Sequence, residues 1–547
     1  MKKIIELLND ELKAAFSACG YDEKYAKVVV SNRPDLCQYQ CNGCMAAAKE
    51  YKKAPAIIAG EVVEKLAESS TFSKVEAVNP GFINMNLSGQ FIADYVKEMG
   101  SHEKFGCDET KKNKTIMLDY GGANVAKPLH VGHLRPAIIG ESLKRICAYN
   151  GYDTVGDVHL GDWGLQMGLI IMELKNRKPE LPYFDESFTG EYPAEAPFTL
   201  AELEDIYPCA SRKSKEDAEF AEAAHQATVM LQRGHRGYTA IWKHIMNISI
   251  ADLKRNYDNL NVSFDVWKGE SDAKPYIEDM LKSFVDKGYA YESQGALVID
   301  VAQADDKKEI PPCIVRKSDG AALYATTDLA TMIEREKLYH PFKYIYTTDK
   351  RQEMHFTQIF RAAKKTGIVP RDTEMNFLGF GTMNGKDGKP FKTRNGDLLR
   401  LEYLIKDVED AVYNKIKENR DVADDEARAT AKVVGLAAIK YGDLSNQASK
   451  DYIFDIDRFT SFEGDTGPYV LYTIVRIKSI LNKYEQTYGA QSLSVADRMK
   501  DFVAPEGASE TDLCLLLTKF SEVIESAYAE LAPHKICKFI YDVANVF

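Results

Sequence analysis

The chain of 547 residues carries 70 basic and 82 acidic side chains, for a formal net charge of −12, and 45% of its residues are hydrophobic. This composition is ordinary for a globular protein of several domains, and no apolar run is long enough to span a bilayer. The N-terminus lacks the apolar core of a secretory signal and the ten cysteines are scattered, so we expect a cytoplasmic protein. Overall acidity neither predicts nor excludes a nucleic-acid partner, because such binding depends on local basic patches.

Residues 1–112 are predicted to form an α+β N-terminal domain. They begin with amphipathic helices and end in a stretch, Val75 to Leu87, whose alternation after the Pro80-Gly81 turn predicts a strand. A charged linker, Lys111 to Lys114, follows and marks the end of the domain.

Three cysteines in this domain have the spacing of one helix face. A structural zinc site normally needs four ligands, and no fourth candidate lies near them in the sequence. We therefore expect an apolar helix face rather than a metal site, and no metal site in the protein. The three are Cys37, Cys41 and Cys44.

Residues 113–398 are predicted to form an α/β domain with a doubly wound parallel sheet, because strand and helix patterns alternate from Thr115. The stretch from Thr115 to Tyr120 predicts a buried strand, and helical spacing of apolar residues predicts a helix from Leu134 to Tyr149. The stretch at about 177–294 is predicted to be an insertion in this domain, because it opens with a Pro-rich loop and has a helical pattern from Ser214 to Tyr257. The alternation is expected to resume at Ala296 to Asp300 and again at Tyr344 to Thr348.

Residues 399–547 are predicted to form an all-α domain, since nearly everything after Leu401 has a helical pattern. The last segment, Pro533 to Phe547, places apolar residues on one face and stops without a capping residue. We expect this domain to be shortened at its C-terminus.

The most informative stretch is the tetrad His130-Val131-Gly132-His133, between a predicted strand and a predicted helix. Backbone N–H groups and the dipole at a helix N-terminus favour an anion, and two imidazoles add donors for charge developing on a phosphate. The tetrad therefore suits nucleotidyl transfer from ATP. Taken alone, it is equally compatible with a loop carrying two solvated histidines.

Two further motifs are ambiguous when taken alone. A Gly-rich loop from Gly385 to Arg394 carries four cations, which suits the β- and γ-phosphates of ATP but also fits a solvated basic turn. The stretch Leu323 to Ala330 holds Tyr324 and Asp328; a carboxylate here could pair with a guanidinium, although Thr-Thr-Asp is more often a helix N-cap.

Together these motifs resemble class I aminoacyl-tRNA synthetases. The tetrad is similar to their HIGH motif, the basic loop is similar to their KMSKS loop with Lys392 at the key lysine, and the run from Asn124 to Gly168 resembles arginyl-tRNA synthetases specifically. The loop departs from the family's usual first lysine at Lys389-Pro390-Phe391, and Lys127 could supply a compensating charge.

The resemblance implies three sets of residues around the substrates. The implied catalytic residues are His130, His133, Lys392 and Lys127. The implied ATP-binding residues are His130, Gly132, His133, Lys389 and Lys392. The implied arginine-binding residues are Gly122, Ala123, Asn124, His133, Tyr324, Asp328 and Gln352, with Gly122-Ala123 standing where the family usually has Ser-Pro. We interpret His159 and Asp162, which follow a second predicted strand, as pocket wall.

The resemblance also implies contacts with tRNA. The positions implied are Asn79, Phe82, Asn84, Arg458, Tyr469, Tyr472 and Arg476. The arginines could meet phosphates and the tyrosines could stack on bases. Helix packing explains each tyrosine equally well, and Phe82 could belong to a core.

The function implied is that of an arginyl-tRNA synthetase, a ligase that activates L-arginine with ATP and Mg²⁺ and transfers it to tRNA(Arg). We expect a monomer with no membrane partner. The alternatives are another HIGH-motif nucleotidyltransferase or class I synthetase, and a non-catalytic tRNA-binding protein descended from one. The retained His130, His133 and Lys392 argue against a non-catalytic protein. The set Tyr324, Asp328 and Gln352 argues against another amino acid.

Overall fold

The computed structural model describes residues 1–318, 320, 322–390, 399–419, 421–489 and 495–547. The chain divides into two compact units, one of Met1–Thr110 with Val470–Phe547 and one of Lys111–Tyr469. Among the residues described, no helix is long and apolar enough to cross a membrane.

The N-terminal part of the first unit is a four-stranded antiparallel sheet, in the order β1-β2-β4-β3, packed against helices. Its elements are α1 (Ile4–Ala18), β1 (Val28–Val30), β2 (Tyr39–Cys41), α2 (Cys44–Tyr51), α3 (Pro55–Leu66), β3 (Phe72–Val78), β4 (Phe82–Leu87) and α4 (Gly89–Ser101). Helix α1 buries Leu8, Leu12 and Phe16 on one face, since residues three or four apart share a helix side. The strand predicted after the Pro80-Gly81 turn is β4.

The predicted cysteine-bearing helix face is wrong. Cys37 lies in a loop, Cys41 ends β2 and Cys44 begins α2, so no single helix carries the three. All three side chains are nevertheless buried. The spacing gave a wrong prediction because β2 ends and α2 begins between Cys37 and Cys44. The burial of the cysteines does not show where one element ends and the next begins. No cluster of potential metal ligands occurs in the part of the chain that the structure describes.

The second unit contains the parallel sheet and most of the helices. Its elements are β5 (Thr115–Asp119), α5 (Leu134–Tyr149), β6 (Asp153–Asp157), α6 (Leu165–Arg177), α7 (Leu200–Glu216), α8 (Ala218–Gln232), α9 (Arg236–Asn259), α10 (Lys274–Asp286), β7 (Tyr291–Ser293), β8 (Ala296–Ile299), β9 (Cys313–Arg316), α11 (Tyr324–Tyr339), β10 (Lys343–Asp349), α12 (Glu353–Thr366), β11 (Glu374–Phe380), β12 (Met383–Asn384), α13 (Leu401–Asn419), α14 (Asp424–Leu444), β13 (Tyr452–Ile453) and α15 (Ile456–Phe459).

The central sheet has the order β11-β10-β5-β6, and all its neighbouring strands are parallel. Strands β5 and β10 are buried, as expected of a sheet covered on both faces. The chain runs from β5 to β6 on one side and returns through β10 on the other side of β5. The order therefore reverses between β5 and β10, and open parallel sheets bind ligands in the crevice at such a point.

The prediction that β8 continues the parallel sheet is wrong. The residues do form a strand, but it pairs antiparallel with β7 and β9 in a separate three-stranded sheet. A strand pattern specifies an apolar face and does not specify the partner strand. The segment predicted to be helical from Ser214 to Tyr257 is helical, but its helices, α7 to α9, begin earlier than predicted, at Leu200.

The C-terminal elements are helical. They are α16 (Gly467–Tyr488), α17 (Val495–Met499), α18 (Ala508–Leu517), α19 (Phe520–Ala529) and α20 (His534–Val546). Among the described residues from Leu401 onward, every secondary-structure element is a helix except the two-residue strand β13, in agreement with the sequence pattern. Within the first unit, α20 packs against α18 and α19.

Candidate active site

The loop that follows β5 lies where the strand order reverses, and it carries most of the predicted substrate residues. It pairs with the loop after β6: the Gly122 N–H donates to Val158 O at 3.0 Å and the Val125 N–H donates to Gly161 O at 3.1 Å. A Cβ atom at Gly161 would lie 2.2 Å from Asn124 Oδ1, so only glycine leaves room for the asparagine side chain. The structure thus fixes Asn124 through the neighbouring strand's loop.

The two histidines of the tetrad are folded against each other in a 3₁₀ turn just before α5. His130 Nδ1 accepts the Gly132 N–H at 3.0 Å, and His133 Nδ1 accepts the His130 N–H at 3.1 Å. The ring centres are 4.0 Å apart. Gly132 is needed here, because a Cβ at this position would lie 2.7 Å from His130 Cε1.

Both imidazoles are neutral at pH 7. Burial, and then the charge of Lys127, lower the pKa of His130. Burial, and then the neighbouring His130, lower the pKa of His133 to about 3. Because Nδ1 of each ring accepts a hydrogen bond, the single proton is assigned to Nε2. The site therefore offers two N–H donors without a fixed positive charge from the histidines.

The cations predicted near the phosphates lie in different settings. Lys127 is half-buried and its Nζ lies 4.6 Å above the ring of Tyr207 in α7. Lys389 is exposed in the turn after β12, and its N–H donates to Asp387 Oδ1 at 3.0 Å. The prediction for Lys392 lies outside the described residues. Arg400, the second residue after the described chain resumes, forms an antiparallel backbone bridge with His130.

The residues predicted to bind arginine include three on the elements around β10. Asp328 and Tyr324 lie one turn apart on α11, and Gln352 lies in the turn before α12. Asp328 is not an N-cap, because Leu323 occupies that position. Asp328 Oδ2 lies 2.6 Å from His355 Nε2, a partner that the sequence analysis missed. Gln352 Oε1 accepts the Thr348 hydroxyl at 3.1 Å, and both Gln352 and Tyr324 are exposed to solvent.

Glu270 is a further carboxyl group that the sequence analysis missed. Burial, and then the nearby carboxyl groups of Asp162 and Asp328, raise its pKa to about 7, while His159 acts in the opposite direction. Although Tyr324 is largely exposed, partial burial, followed by the charges of Glu270 and Asp328, raises its pKa. Glu270, Asp328 and Tyr324 therefore share one electrostatic environment. Two carboxyl groups and a phenol suit a bidentate, cationic ligand.

A buried ion-pair network lies under this pocket. Arg335 of α11 donates to Asp119 Oδ2 and to Asp157 Oδ2, each at 2.6 Å, and to the Tyr346 hydroxyl at 3.0 Å. The two aspartates end the adjacent strands β5 and β6. The guanidinium compensates two carboxylates that would otherwise repel each other at the floor of the crevice.

The two residues predicted as pocket wall have distinct settings. Asp162 is fully buried and accepts the backbone N–H of Ser271 at 3.0 Å and its hydroxyl at 2.6 Å, so it anchors the chain that carries Glu270. His159 has a positive φ of 41°. Both of its ring nitrogens are buried, and neither finds a hydrogen-bond partner among the described residues.

The comparisons with known proteins agree with this geometry. Residues 96–456 match the family described as "tRNA synthetases class I (R), catalytic domain". The chain is 60% identical over 555 residues to the arginine–tRNA ligase of Agathobacter rectalis, covering 100% of this chain and 92% of that protein. This chain belongs to the arginyl-tRNA synthetase family. The resemblance seen in the sequence is thereby confirmed.

Two further family matches flank the catalytic region of this arginyl-tRNA synthetase family member. Residues 2–87 match the "Arginyl tRNA synthetase N terminal domain", and residues 470–547 match the "DALR anticodon binding domain". The arginine–tRNA ligase of Alkaliphilus oremlandii is 55% identical over 547 residues, covering 100% of this chain and 92% of that protein.

The fold is that of solved family members. A crystal structure of arginyl-tRNA synthetase from Plasmodium falciparum superposes with a TM-score of 0.78 at 24% identity, covering 100% of this chain and 92% of that one. The expected combination of a parallel-sheet catalytic domain, an N-terminal domain and an all-α C-terminal domain is confirmed.

The residues predicted to contact tRNA differ in accessibility. In the first unit, Asn84 is buried in β4 and accepts the Gln40 side-chain amide at 2.8 Å, Phe82 is half-buried, and Asn79 is exposed. Asn84 can therefore support the sheet but offers little surface. Tyr472 is 51% exposed.

The predicted tRNA-contacting arginines are both exposed. Arg458 lies at 5.8 Å over the ring of Phe459 in the second unit, and Arg476 lies at 5.9 Å over the ring of Phe547 in the first. Tyr469 is half-buried. The arginines are thus the better placed of these residues to reach a phosphate in solution.

Proposed function

We propose that this chain joins L-arginine to tRNA(Arg) in two steps. An oxygen of the arginine carboxylate attacks the α-phosphorus of ATP, the bond to the β-phosphate breaks, and pyrophosphate leaves. A ribose hydroxyl of the terminal tRNA adenosine then attacks the carbonyl carbon and AMP leaves. The observation that carries the proposal is the pair of neutral imidazoles at the N-terminus of α5, in a chain of this family.

His130 and His133 are assigned to the transition state of the first step. Their Nε2–H groups donate to oxygens that gain charge as the α-phosphorus becomes five-coordinate. Lys127, Lys389 and Lys392 are assigned to the phosphates as mobile point charges. Removing one such donor typically costs about 10²–10³ in rate. We treat Mg²⁺ as part of the nucleotide substrate.

The arginine site is assigned to the crevice between β5 and β10. Asp328 and Glu270 are proposed to pair with the guanidinium, with Tyr324 and Gln352 completing the pocket, and Asn124 to hold the α-amino or carboxylate end. Gly122, Ala123 and His133 line the same loop. A neutral analogue such as citrulline leaves a carboxyl group unpaired, which costs several kcal/mol. We therefore expect strong rejection of citrulline.

The tRNA surface is assigned to the exposed residues of the predicted set. Arg458 and Arg476 are proposed to meet phosphates, Tyr469 and Tyr472 to stack on bases, and Asn79 and Phe82 to contact tRNA from the N-terminal domain, with Asn84 supporting them. We further propose functional domains at 1–112, 113–398 and 399–547, an insertion at about 177–294, and a monomer acting in the cytoplasm.

The decisive experiment is arginine-dependent ATP–pyrophosphate exchange with and without tRNA(Arg). Exchange that requires tRNA supports both the assignment and the expectation, drawn from the family, that tRNA binds before arginine is activated. The proposal is contradicted if exchange depends on a different amino acid. It is also contradicted if the chain binds tRNA(Arg) and still shows no arginine-dependent exchange.

A further inference from the structure

One face of the insertion helix α7 contacts both segments that bracket the proposed phosphate site. Arg400 Nη1 donates to Glu204 Oε2 at 3.0 Å, and Lys127 Nζ lies 4.6 Å from the centre of the Tyr207 ring. Glu204 and Tyr207 are three residues apart and share one side of α7. Two cations that are 273 positions apart in the sequence, from Lys127 to Arg400, are thus held by one helical turn.

The backbone around Arg400 is pinned to the histidine tetrad. The Val131 N–H donates to Leu399 O at 2.9 Å, and the Leu401 N–H donates to Leu129 O at 2.9 Å. This two-sided pairing fixes the segment Leu399 to Leu401, which begins five residues after the basic loop of Gly385 to Arg394 ends in the sequence. The Arg400 side chain ties this segment to Glu204 of α7.

The Glu204–Arg400 pair is partly shielded from water. The side chains are 20% and 34% exposed, respectively, and Glu402 lies 3.6 Å from the same guanidinium nitrogen. Burial lowers the pKa of Arg400, but the charge of Glu204 and its hydrogen bond outweigh this effect and raise it overall. Such a pair is held more firmly than a fully exposed one, because screening by solvent is weaker.

Helix α7 is itself firmly anchored. Thr199 and Glu202 form a capping box at its start, and Lys178 Nζ donates to Glu202 Oε1 at 3.0 Å. Leu203 and Ile206, on the adjoining side of the helix, are buried, and α7 packs against α6 and α8. Glu204 and Tyr207 are therefore held in fixed positions, and they can fix the side chains of Arg400 and Lys127 that they contact.

We propose that Glu204 and Tyr207 are positioning residues for ATP, acting through Arg400 and Lys127. Glu204 holds the segment Leu399 to Leu401 beside His130 through Arg400, and Tyr207 holds Lys127 by a cation–π contact. The insertion thereby contributes two positioning residues to the activation step. This inference rests on the proposed function, because the positioned groups are those assigned to the phosphates.

The test is a set of aminoacylation measurements on the full chain with tRNA(Arg), in which ATP and arginine are varied separately. Glu204→Gln and Arg400→Gln are each expected to raise the KM for ATP about threefold to tenfold and to leave the KM for arginine and the Tm unchanged. The KM for ATP of the double variant is expected to be no higher than that of the more impaired single variant, because both substitutions break the same contact. Arg400→Lys should recover part of the loss.

The adjacent residue on the same helix provides the matched control. Asp205 is 72% exposed and pairs with Arg177 at 2.7 Å, away from the phosphate site. Asp205→Asn should leave both KM values unchanged. For the second contact, Tyr207→Leu should raise the KM for ATP more than Tyr207→Phe, which keeps the ring.

Three outcomes overturn the inference: an unchanged KM for ATP in both single variants, additive losses in the double variant, or equal rises in both KM values together with a lower Tm. The unmodified chain separates these failures from failure of the proposed function. If it charges tRNA with arginine while the variants behave in one of these ways, only the positioning role is wrong.

Discussion

In the proposed arginine site, we expect single carboxyl groups to determine which amino acid is accepted. Asp328 contacts His355 in the free chain, and Glu270 lies in the same electrostatic environment although 58 residues separate them in sequence. A bound guanidinium would replace the imidazole as the partner of Asp328. Since a desolvated carboxylate without a partner is costly, each of the two acids should discriminate strongly against neutral side chains.

Asp328→Asn is expected to lower kcat/KM for arginine by at least about 30-fold, equivalent to about 2 kcal/mol or more, because a charged hydrogen bond is replaced by a neutral one. The discrimination between arginine and citrulline should shrink with it. Steady-state aminoacylation with each amino acid measures both quantities. An unchanged arginine kcat/KM would remove Asp328 from the proposed pocket.

The elevated pKa of Glu270 predicts a pH-dependent KM for arginine. Burial raises this pKa to about 7, so the group is mostly protonated below pH 7 and must lose its proton to pair with a cation. The KM should therefore be constant well above pH 7 and rise below it, approaching about tenfold per pH unit. Measurements from pH 6 to 9 test this directly.

Glu270→Gln supplies the control for that profile. The variant cannot ionise at this position, so its KM for arginine should be higher at pH 8 and lose the rise between pH 7 and pH 6. If the variant keeps the wild-type profile, another group is responsible for it.

At the scale of elements, the loops after β5 and β6 work as one unit. The Asn124 side chain leaves no space for a Cβ at Gly161, whereas a Cβ at Gly164 would meet no atom within 4 Å. The two glycines lie in the same loop and differ in what they contact. This makes them a matched pair for testing whether Asn124 must be held in place.

Gly161→Ala is expected to displace Asn124 and raise the KM for arginine, with a loss in kcat/KM of about tenfold to 10²-fold from misplacement of the substrate. Gly164→Ala should behave like the unmodified chain. Amino-acid-dependent kinetics and thermal melting are to be measured on both. Equal behaviour of the two variants would show that the Asn124 position is not limiting.

At the scale of the whole second unit, a buried contact joins the tetrad's helix to the all-α region. Arg135, two residues after His133, donates from Nε to Asp443 Oδ2 of α14 at 3.0 Å and from Nη1 to the carbonyl of Gly381 at 2.7 Å. Both charged side chains are almost completely buried. The motif helix, the end of the sheet and α14 are thus linked by one guanidinium.

Asp443→Ala is expected to lower the free energy of unfolding of this unit by about 3–5 kcal/mol, since it leaves a buried arginine without its carboxylate. Asp410→Ala, which breaks an exposed pair between α13 and α14, should cost less than about 1 kcal/mol. Urea denaturation followed by fluorescence compares the two. Similar losses in both variants would contradict the structural role of the Arg135–Asp443 pair.

Short-range sequence signals were sufficient to predict the local features of this chain. Helix α5 has the predicted bounds, Leu134–Tyr149, because its apolar spacing and the preceding glycine-containing turn are both short-range signals. The tetrad, the basic loop and the Tyr324–Asp328 segment identified the family for the same reason. In each motif, the residues that carry the chemical groups lie within a few positions of one another in the sequence.

The contacts between residues that are distant in the sequence could be identified only from the tertiary structure. Glu270, Arg335 and Glu204 carry no local signal, since a lone acid or arginine in a helix or turn is normally solvated. The pairing of β8 outside the parallel sheet and the split of the three cysteines between a loop, a strand and a helix were likewise undetermined. Local patterns encode which face of an element is buried; the partner it is buried against depends on packing over hundreds of residues.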